Sequence, residues 1–422
     1  MNRARLTQMA GEEIELKLAA APRTLARLAA DPLLGRRGAV QHLTAIYFDT
    51  PRAALWRHGI ALRLRREHGR WVQTVKAGGA LEAGLHRRVE FTQRIAPSGP
   101  KLEPIADAEL RQKVARIARG KPLEPMFRVE VARETRRVTP APGVEIEVAI
   151  DRGELVTGSS RAPVSEVELE LKAGPAWRVF ELALAVSQRY AARVAHRSKA
   201  ERGYLLAGAI RPAPVRAALG IVRRGMSTGE AFKAICTMCL NHLQANQAGV
   251  VRGEDREYLH QARVALRRLH SGLDAFKRIA AEDTFRQHAR SVRQFTRALG
   301  PARNWDVFAG QTLAPVLEQF PGHAGLAAIE RACARLRSDA NRAPRRLFAS
   351  RRYQRILLGL GGWLARGESL AAAAAAADVR EHAAQVLDRY HRRVLKRGRK
   401  IETSSPRRLH RLRIAAKKLR YA

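Results

Sequence analysis

The sequence predicts an α+β domain built around an antiparallel β-barrel, followed by an all-α helix bundle. Three observations carry this reading. Over roughly the first 205 residues, period-two alternation is broken by turns, and several segments place charged side chains on a single face. From about Thr228 onward strand patterns stop and helical periodicity takes over. Within that second part a twelve-residue pattern occurs twice, at Leu259–His270 and at Leu409–Arg420.

At 422 residues the chain is too long for one compact core, which makes two domains the expectation. The boundaries read as 1–208, a linker at 209–225 carrying Pro212, Pro214, Gly220 and Gly225, and 226–422. Lys and Arg number 78 against 39 Asp and Glu, a net charge of +39 that attracts polyanions such as nucleic acid, anionic membrane or polyphosphate. Three cysteines are too few for a disulfide framework. Cys236 and Cys239 fall in an apolar helical run with Phe232, Ile235 and Leu240, which predicts buried small side chains on a helix and no zinc site. No leader-like apolar segment follows Met1, and no apolar run reaches membrane-spanning length. The expectation is a cytoplasmic protein with no membrane partner.

In the first domain, the segment Glu13–Leu18 puts Glu13, Glu15 and Lys17 on one face and Ile14, Leu16 and Leu18 on the other. Val144–Asp151 groups Glu145, Glu147 and Asp151, and Ser165–Lys172 groups Glu166, Glu168, Glu170 and Lys172. Basic strands accompany them: Arg63 and Arg65 alternate with Leu62 and Leu64, and Val72, Thr74 and Lys76 share a face. Helical patches interrupt the strands at Pro22–Ala30, Asp107–Arg119 and Ala176–Val186. An open sheet with one wet face does not account for carboxylate-rich strands beside cationic ones. A closed barrel with its charged face inward does. Its carboxylates would hold hard divalent cations, and its arginines and lysines would clamp phosphate oxygens.

In the second domain, helices are punctuated at Gly300-Pro301, Pro315, Pro321-Gly322, Pro344, Gly361-Gly362 and Pro406, and Ala371–Ala377 is a strong helix former. The repeated pattern spaces His260, Arg263, Arg267 and His270, and then His410, Arg413, Lys417 and Arg420, three, four and three residues apart. That spacing stacks each set along one helical stripe, at a repulsive cost of about 0.2–0.5 kcal/mol per like-charged pair. Two such stripes make sense if a polyanion lies across them. Arg268, Lys418, Arg290, Arg293, Arg297 and Arg303 are secondary candidates. The chain stops at Ala422, directly after the second stripe, so the second bundle is expected to lack helices.

The motifs of the first domain resemble the CYTH superfamily of triphosphate tunnel metalloenzymes. Glu13-x-Glu15-x-Lys17 is followed in order by Tyr47-Phe48-Asp49-Thr50, Leu62-Arg63-Leu64-Arg65, Lys76, His86-x-Arg88-x-Glu90, Ala149–Gly153, Glu166-x-Glu168-x-Glu170 and Ser198–Tyr204. The resemblance implies an eight-stranded barrel whose tunnel holds a triphosphate with Mg2+ or Mn2+. By position, Glu13, Glu15, Glu166, Glu168 and Glu170 stand as metal ligands, Glu13, Glu15 and Lys17 as catalytic residues, and Lys17, Arg63, Arg65, Lys76, Arg133 and Lys199 as phosphate-gripping residues. Glu147, Asp151 and Glu170 face the right way, and the sequence does not decide which of them touches metal. Arg133 is preferred to Arg128. It shares strand parity with Phe127, Val129 and Val131, so a bulge or a strand end is expected to turn it inward.

The twin basic stripes, with Leu299–Val307, resemble the CHAD (conserved histidine α-helical) domain. Asn304 departs from that family's pattern, which has an Asp there. The resemblance implies two helical bundles related by pseudo-two-fold symmetry and a basic groove for inorganic polyphosphate, lined by His260, Arg263, Arg267, His410, Arg413, Lys417 and Arg420. The combined expectation is a metal-dependent inorganic triphosphatase joined to a polyphosphate-binding module, placed in the cytoplasm or on polyphosphate granules. The alternatives are an inactive polyphosphate-granule protein and a nucleic-acid binder. With 5% aromatic residues and none suited to stacking in the stripes, nucleic acid is the weaker alternative. Histidines opening each stripe imply tighter polyphosphate binding at pH 6 than at pH 8.

Overall fold

The computed structural model describes residues 9–67, 69–96, 99–253, 255–280, 282–399, 401 and 405–421. The chain separates into two compact units, Met1–Ala213 and Pro214–Ala422.

The first unit is a barrel. Its strands are β1 (Met9–Ala19), β2 (Val40–Asp49), β3 (Ile60–Glu67), β4 (Arg70–Glu82), β5 (Leu85–Ile95), β6 (Glu124–Ala141), β7 (Val144–Thr157) and β8 (Ser160–Ala173), with a two-residue β9 (Arg193–Val194) added beside β1. The order β5-β4-β3-β2-β6-β7-β8-β1 closes through a β5–β1 pairing, so the eight strands form an antiparallel ring. Helices α1 (Pro22–Leu28), α2 (Ala54–Arg57), α3 (Ala108–Ala118), α4 (Trp177–Arg189) and α5 (Lys199–Leu206) surround or enter it. The helices expected from sequence at Pro22, Asp107 and Ala176 are all present.

Alternation decides what each wall residue faces. Outward-pointing Leu16, Leu18, Val167 and Leu169 are fully buried, and α1 and α4 pack against β1 and β8. A second outer layer joins Ile60, Leu62 and Val75 to Leu110 and Val114 of α3. Each such fully buried aliphatic side chain contributes about 1.5–3 kcal/mol. With the outer face of these strands covered by helices, the charged residues that alternate with these positions point into the barrel interior.

That interior has two halves. Leu43, Ala45, Tyr47, Phe127, Val129, Val131, Leu155 and Val164 form an apolar floor with Ala200 and Tyr204 of α5. Tyr47 stacks on Phe127 at 4.6 Å, and Phe127 meets Tyr204 edge-on at 5.2 Å. Above the floor the same strands become charged. This corrects the expectation for Arg133. The β6 register runs unbroken from Arg128↔Val156 through Arg133↔Asp151, with no bulge. Arg133 points inward because Phe127, Val129 and Val131 point inward too.

Two glycines of the motifs are explained by close approach. A Cβ at Gly153 would lie 1.9 Å from the Glu130 carbonyl oxygen, and one at Gly203 would lie 2.1 Å from the Phe127 ring. Gly203 therefore lets α5 seat Tyr204 on the floor. Tyr204 then donates to the buried Asp49 at 2.8 Å, while Asp49 accepts from the backbone N–H groups of Leu55 and Trp56. The Asp49 of the Tyr47–Thr50 motif is thus an anchor for α2 and α5.

The second unit is helical: α6 (Thr228–Arg252), α7 (Arg256–Phe276), α8 (Glu282–Ala298), α9 (Gly300–Val307), a π-turn (Phe308–Leu313), α10 (Ala314–Gln319), α11 (Ala324–Phe348), α12 (Arg351–Arg366), α13 (Ala372–Ala376), α14 (Val379–Gly398) and α15 (Pro406–Tyr421). A reciprocal Ser227–Glu230 capping box starts α6. Cys236 and Cys239 are free and buried in it, as the periodicity predicts. Two expected breaks do not occur. Helix α11 runs through Pro344, and α12 runs through Gly361-Gly362. Pro344 sits near the end of α11, buried like Phe348, and Gly361 and Gly362 are buried beside Leu357, Leu358 and Leu364. Packing outweighs the local propensity at both places. The alanine run yields only the five residues of α13. No helix among the described residues is long and apolar enough to cross a membrane.

Candidate active-site tunnel and basic helices

The charged half of the barrel encloses a cavity of about 70 Å³. Glu13, Glu15 and Lys17 reach it from β1, Glu168 and Glu170 from β8, and Glu147 from β7. Arg133 of β6, Arg63 of β3, Lys76 of β4 and Arg88 of β5 face them, and Ser198 and Lys199 close one end from the start of α5. Ser198 caps that helix by accepting from the Glu201 N–H.

Opposite charges interlock throughout. Lys17 Nζ lies 2.5 Å from Glu15 and 2.8 Å from Glu168. Lys199 Nζ meets Glu166 at 2.5 Å, Asp151 at 2.6 Å and Glu168 at 2.9 Å. Arg133 holds Asp151 with two hydrogen bonds, at 2.7 and 2.6 Å, and Glu168 with a third at 2.6 Å. Lys76 bridges Glu13 at 2.5 Å and Glu90 at 3.0 Å.

These contacts set the protonation states. Burial opposes charge on Lys17 and Lys199, but the surrounding carboxylates outweigh it and hold both ammoniums above their ordinary range. Burial likewise works against the Glu168 carboxylate, yet Lys17, Lys199 and Arg133 keep it well below the usual range. Glu90 is also buried, and Lys76 and Arg63 bring it down to about 2. Glu13 is the exception: burial holds it above its ordinary range despite Lys76. His86, beside Lys17 and Arg88, is buried and pushed down to about 3, so its imidazole is neutral.

Ligand oxygens of Asp151, Glu166 and Glu168 all lie within 4.8 Å of one another. An all-oxygen donor set of this kind suits a hard divalent cation.

In the helical unit, α7 buries Leu259, Ala262, Leu266, Leu269 and Leu273 and leaves His260, Arg263, Arg267 and His270 half-buried on another face. Arg263 neighbours Arg267 and Arg303, and its charge is disfavoured first by burial and then by those two cations. Arg263 Nη1 and Arg267 Nε are buried with no hydrogen-bond partner among the described residues. Helix α15 lies alongside: the Arg267 guanidinium stands 5.2 Å from the Tyr421 ring centroid. Lys417 of α15 is held below its ordinary range by burial, Arg413 and Arg267. Lys418 Nζ clasps Asp274 of α7 at 2.6 Å, and the Tyr390 hydroxyl of α14 donates to the same carboxylate at 3.1 Å.

The CYTH domain model matches residues 11–204, and the CHAD domain model matches residues 234–422. Residues 11–204 are a CYTH domain and residues 234–422 a CHAD domain. Over 203 residues, 46% of this chain, the protein is 30% identical to an inorganic triphosphatase from Haemophilus influenzae, and it spans 55% of that relative's length. An uncharacterized protein of Mycobacterium tuberculosis is 27% identical over 411 residues, which cover 90% of this chain and 75% of that one. Among solved structures, the CHAD domain from Ricinus communis is 31% identical, covering 50% of this chain and 68% of that chain with a TM-score of 0.43.

Of the residues singled out by sequence, Glu13, Glu15, Lys17, Arg63, Lys76, Arg133, Glu168, Glu170 and Lys199 line the CYTH tunnel together. Glu166 is fully buried behind its wall, held by Lys199 and by Arg202 at 3.0 Å. Arg65 is not among the lining residues and is ion-paired with Glu67. Tyr47, Arg88 and Ser198 line the tunnel without having been singled out as site residues. For Arg88 the signal was present, since alternation in His86-x-Arg88-x-Glu90 puts all three on one face. Tyr47 entered only as the first residue of the Tyr47–Thr50 motif, with no role attached, and its hydroxyl is hydrogen-bonded to Arg63. In the CHAD domain His410, Arg413, Lys417 and Arg420 are exposed, whereas the four residues of the first stripe are half-buried.

Proposed function

We propose that the CYTH domain hydrolyses a terminal phosphoanhydride bond of inorganic triphosphate with the help of Mg2+ or Mn2+, and that the CHAD domain binds inorganic polyphosphate. The observation that carries the first half is the ring of six cations, Lys17, Arg63, Lys76, Arg88, Arg133 and Lys199, facing carboxylates across one enclosed tunnel. The 30% identity to an inorganic triphosphatase supports the same reading.

Asp151, Glu166 and Glu168, with Glu13 and Glu15 of β1 and Glu170 of β8, are the residues that would hold the metal. A bound divalent ion supplies charge neutralisation on phosphate oxygens and a more acidic water. The rest falls to the chain itself. Lys17, Arg63, Lys76, Arg133 and Lys199 orient the triphosphate and stabilise the charge that grows on the departing phosphate. Glu13, Glu15 and the β8 carboxylates orient the attacking water. The apolar floor of Phe127, Val129 and Tyr204 closes the far side against bulk water. For the helices, unpartnered guanidinium nitrogens of Arg263 and Arg267 beside Arg303 support binding of a flexible polyanion.

The test is phosphate release from inorganic triphosphate with Mg2+ or Mn2+, run beside ATP, thiamine triphosphate and long-chain polyphosphate. Glu168→Ala is expected to lower the rate about 100- to 1,000-fold, in line with loss of a preorganised electrostatic group. Full activity in that variant would sink the tunnel as the catalytic site. Polyphosphate binding is measured separately, with Arg263→Ala/Arg267→Ala expected to weaken it.

A further inference from the structure

The helical unit contains a second polar cavity, about 230 Å³ in volume, where the start of α7 meets α9 and α11. Arg256 enters it from the first turn of α7, Asp306 from α9, and Arg337, Ser338, Asn341 and Arg345 from one stripe of α11. Asp255 also lines it, at the N-cap of α7, where its carboxylate is engaged by the Glu257 N–H at 2.8 Å. Asp306 belongs to the Leu299–Val307 segment, and the other polar residues fall outside both basic stripes.

Two of the guanidiniums rest on glycines. A Cβ at Gly253 would lie 1.9 Å from Arg345 Nη2, and one at Gly310 would lie 2.5 Å from Arg256 Nη1. Gly253 caps α6 with a φ of 71°, and Gly310 belongs to the π-turn, a distortion that recurs at functional sites. Arg337 is neutralised by Asp306 at 2.7 Å, whereas Arg256 and Arg345 have no carboxylate partner among the described residues. Asp306 is only 3% exposed. Its Oδ1 accepts from Arg337 Nε, and its Oδ2 has no hydrogen-bond partner among the described residues.

The two requirements point in different chemical directions. Unpaired guanidiniums with a hydroxyl and an amide beside them favour an oxyanion. A buried carboxylate oxygen lacking a donor favours a ligand that carries a proton. Hydrogenphosphate, or the protonated end of a phosphate chain, meets both needs. Sulfate at neutral pH meets only the first. We infer that this cavity is a phosphoryl-binding site in which Arg256 and Arg345 hold the oxyanion while Asp306 accepts its P–OH. The site does not depend on the tunnel's being catalytic.

Calorimetric titration of the full chain at pH 7 with sodium phosphate and sodium sulfate, at matched ionic strength, tests this directly. Matching removes the general attraction of a +39 chain for any anion. Phosphate is expected to saturate with sulfate at least tenfold weaker. Arg256→Ala and Arg345→Ala alter exposed side chains, so they are expected to fold, to weaken phosphate binding at least tenfold, and to leave triphosphate hydrolysis unchanged. Asp306→Asn, which can donate where Asp accepts, is expected to shrink the gap between the two anions below threefold. If that variant fails to fold, the two arginine variants decide. Triphosphate added as competitor separates the sources: displacement of phosphate assigns the end of a chain, and no displacement assigns the free ion, and both uphold the site. Equal affinity for phosphate and sulfate in the native chain, or unchanged phosphate affinity in both arginine variants, overturns it.

Discussion

Inside the barrel Lys17 stands between Glu15 and Glu168 at 2.5 and 2.8 Å, whereas on α7 the neighbours of Arg263 are Arg267 and Arg303. The first arrangement takes charges out of water and compensates each with a partner. The second takes charges partly out of water and sets them beside like charges. A compensated interior is costly to break but indifferent to salt, because its partners are buried and close. An uncompensated stripe is cheap to alter, and its strength shows only when a polyanion arrives, so it must be read through ionic strength. The two halves of one basic chain therefore answer to different experiments.

The largest expected effect comes from breaking compensation. Lys17→Met leaves Glu15 and Glu168 buried with one cation fewer, at a cost of about 3–5 kcal/mol of stability. A calorimetric melt should show the CYTH transition falling while the CHAD transition stays in place. Next is Gly203→Ala, which drives a methyl group to 2.1 Å from the Phe127 ring. Overpacking of this kind costs about 1–3 kcal/mol. Because the same helix carries Lys199, triphosphate hydrolysis should fall along with the melting temperature. A variant as stable and active as the native protein would show that α5 is not seated as described.

Salt sharpens the contrast between the halves. Polyphosphate binding to the helices should weaken linearly on a log–log plot, with a slope of about −0.7 for each phosphate neutralised. Arg263→Ala/Arg267→Ala is expected to flatten that slope by about 1.4 in filter-binding titrations across 50–300 mM salt. Over the same range the hydrolysis rate at saturating triphosphate should change far less. Equal salt sensitivity of the two activities would erase the distinction between a compensated and an uncompensated site.

The barrel was legible because its charged positions alternate with residues that helices cover: Glu13, Glu15 and Lys17 against Leu16 and Leu18. What alternation alone did not reveal is that an interior can change character along a strand. Phe127 and Arg133 occupy the same face of β6, and treating that face as uniform led to an expected bulge that does not exist. Glu166 shows a related limit. Parity places it inward, but depth is set by cross-strand register, which seats it behind the wall against Lys199 and Arg202. On the helices the stripes could be read from spacing. The clasp of Lys418 on Asp274 could not, because it joins residues of two helices far apart in the sequence. Pro344 looked like a stop because local propensity is silent about the burial that offsets it.

The smallest effect concerns the histidines. His260 is held below its ordinary range first by burial and then by Arg303, with Arg267 and Arg263 adding to it against Glu257. His270 is lowered by burial, with Arg293 and Lys418 opposing Asp274. Both imidazoles are therefore neutral at pH 7 in the free protein. A bound polyanion raises their pKa values, so affinity rises as pH falls through the bound-state value and levels off below the free-state value. Since the free-state values are depressed, the polyanion must first reverse that depression. The gain is thereby moved toward acid: little change is expected between pH 8 and 7, and roughly two- to fivefold tighter binding between pH 7 and 6, below the tenfold limit for one proton per pH unit. His260→Ala should remove part of that gain while leaving affinity at pH 8 within about twofold of native. Identical pH profiles for the native and substituted proteins would assign the pH response to groups other than this histidine, and the arginines would then account for the α7 stripe without it.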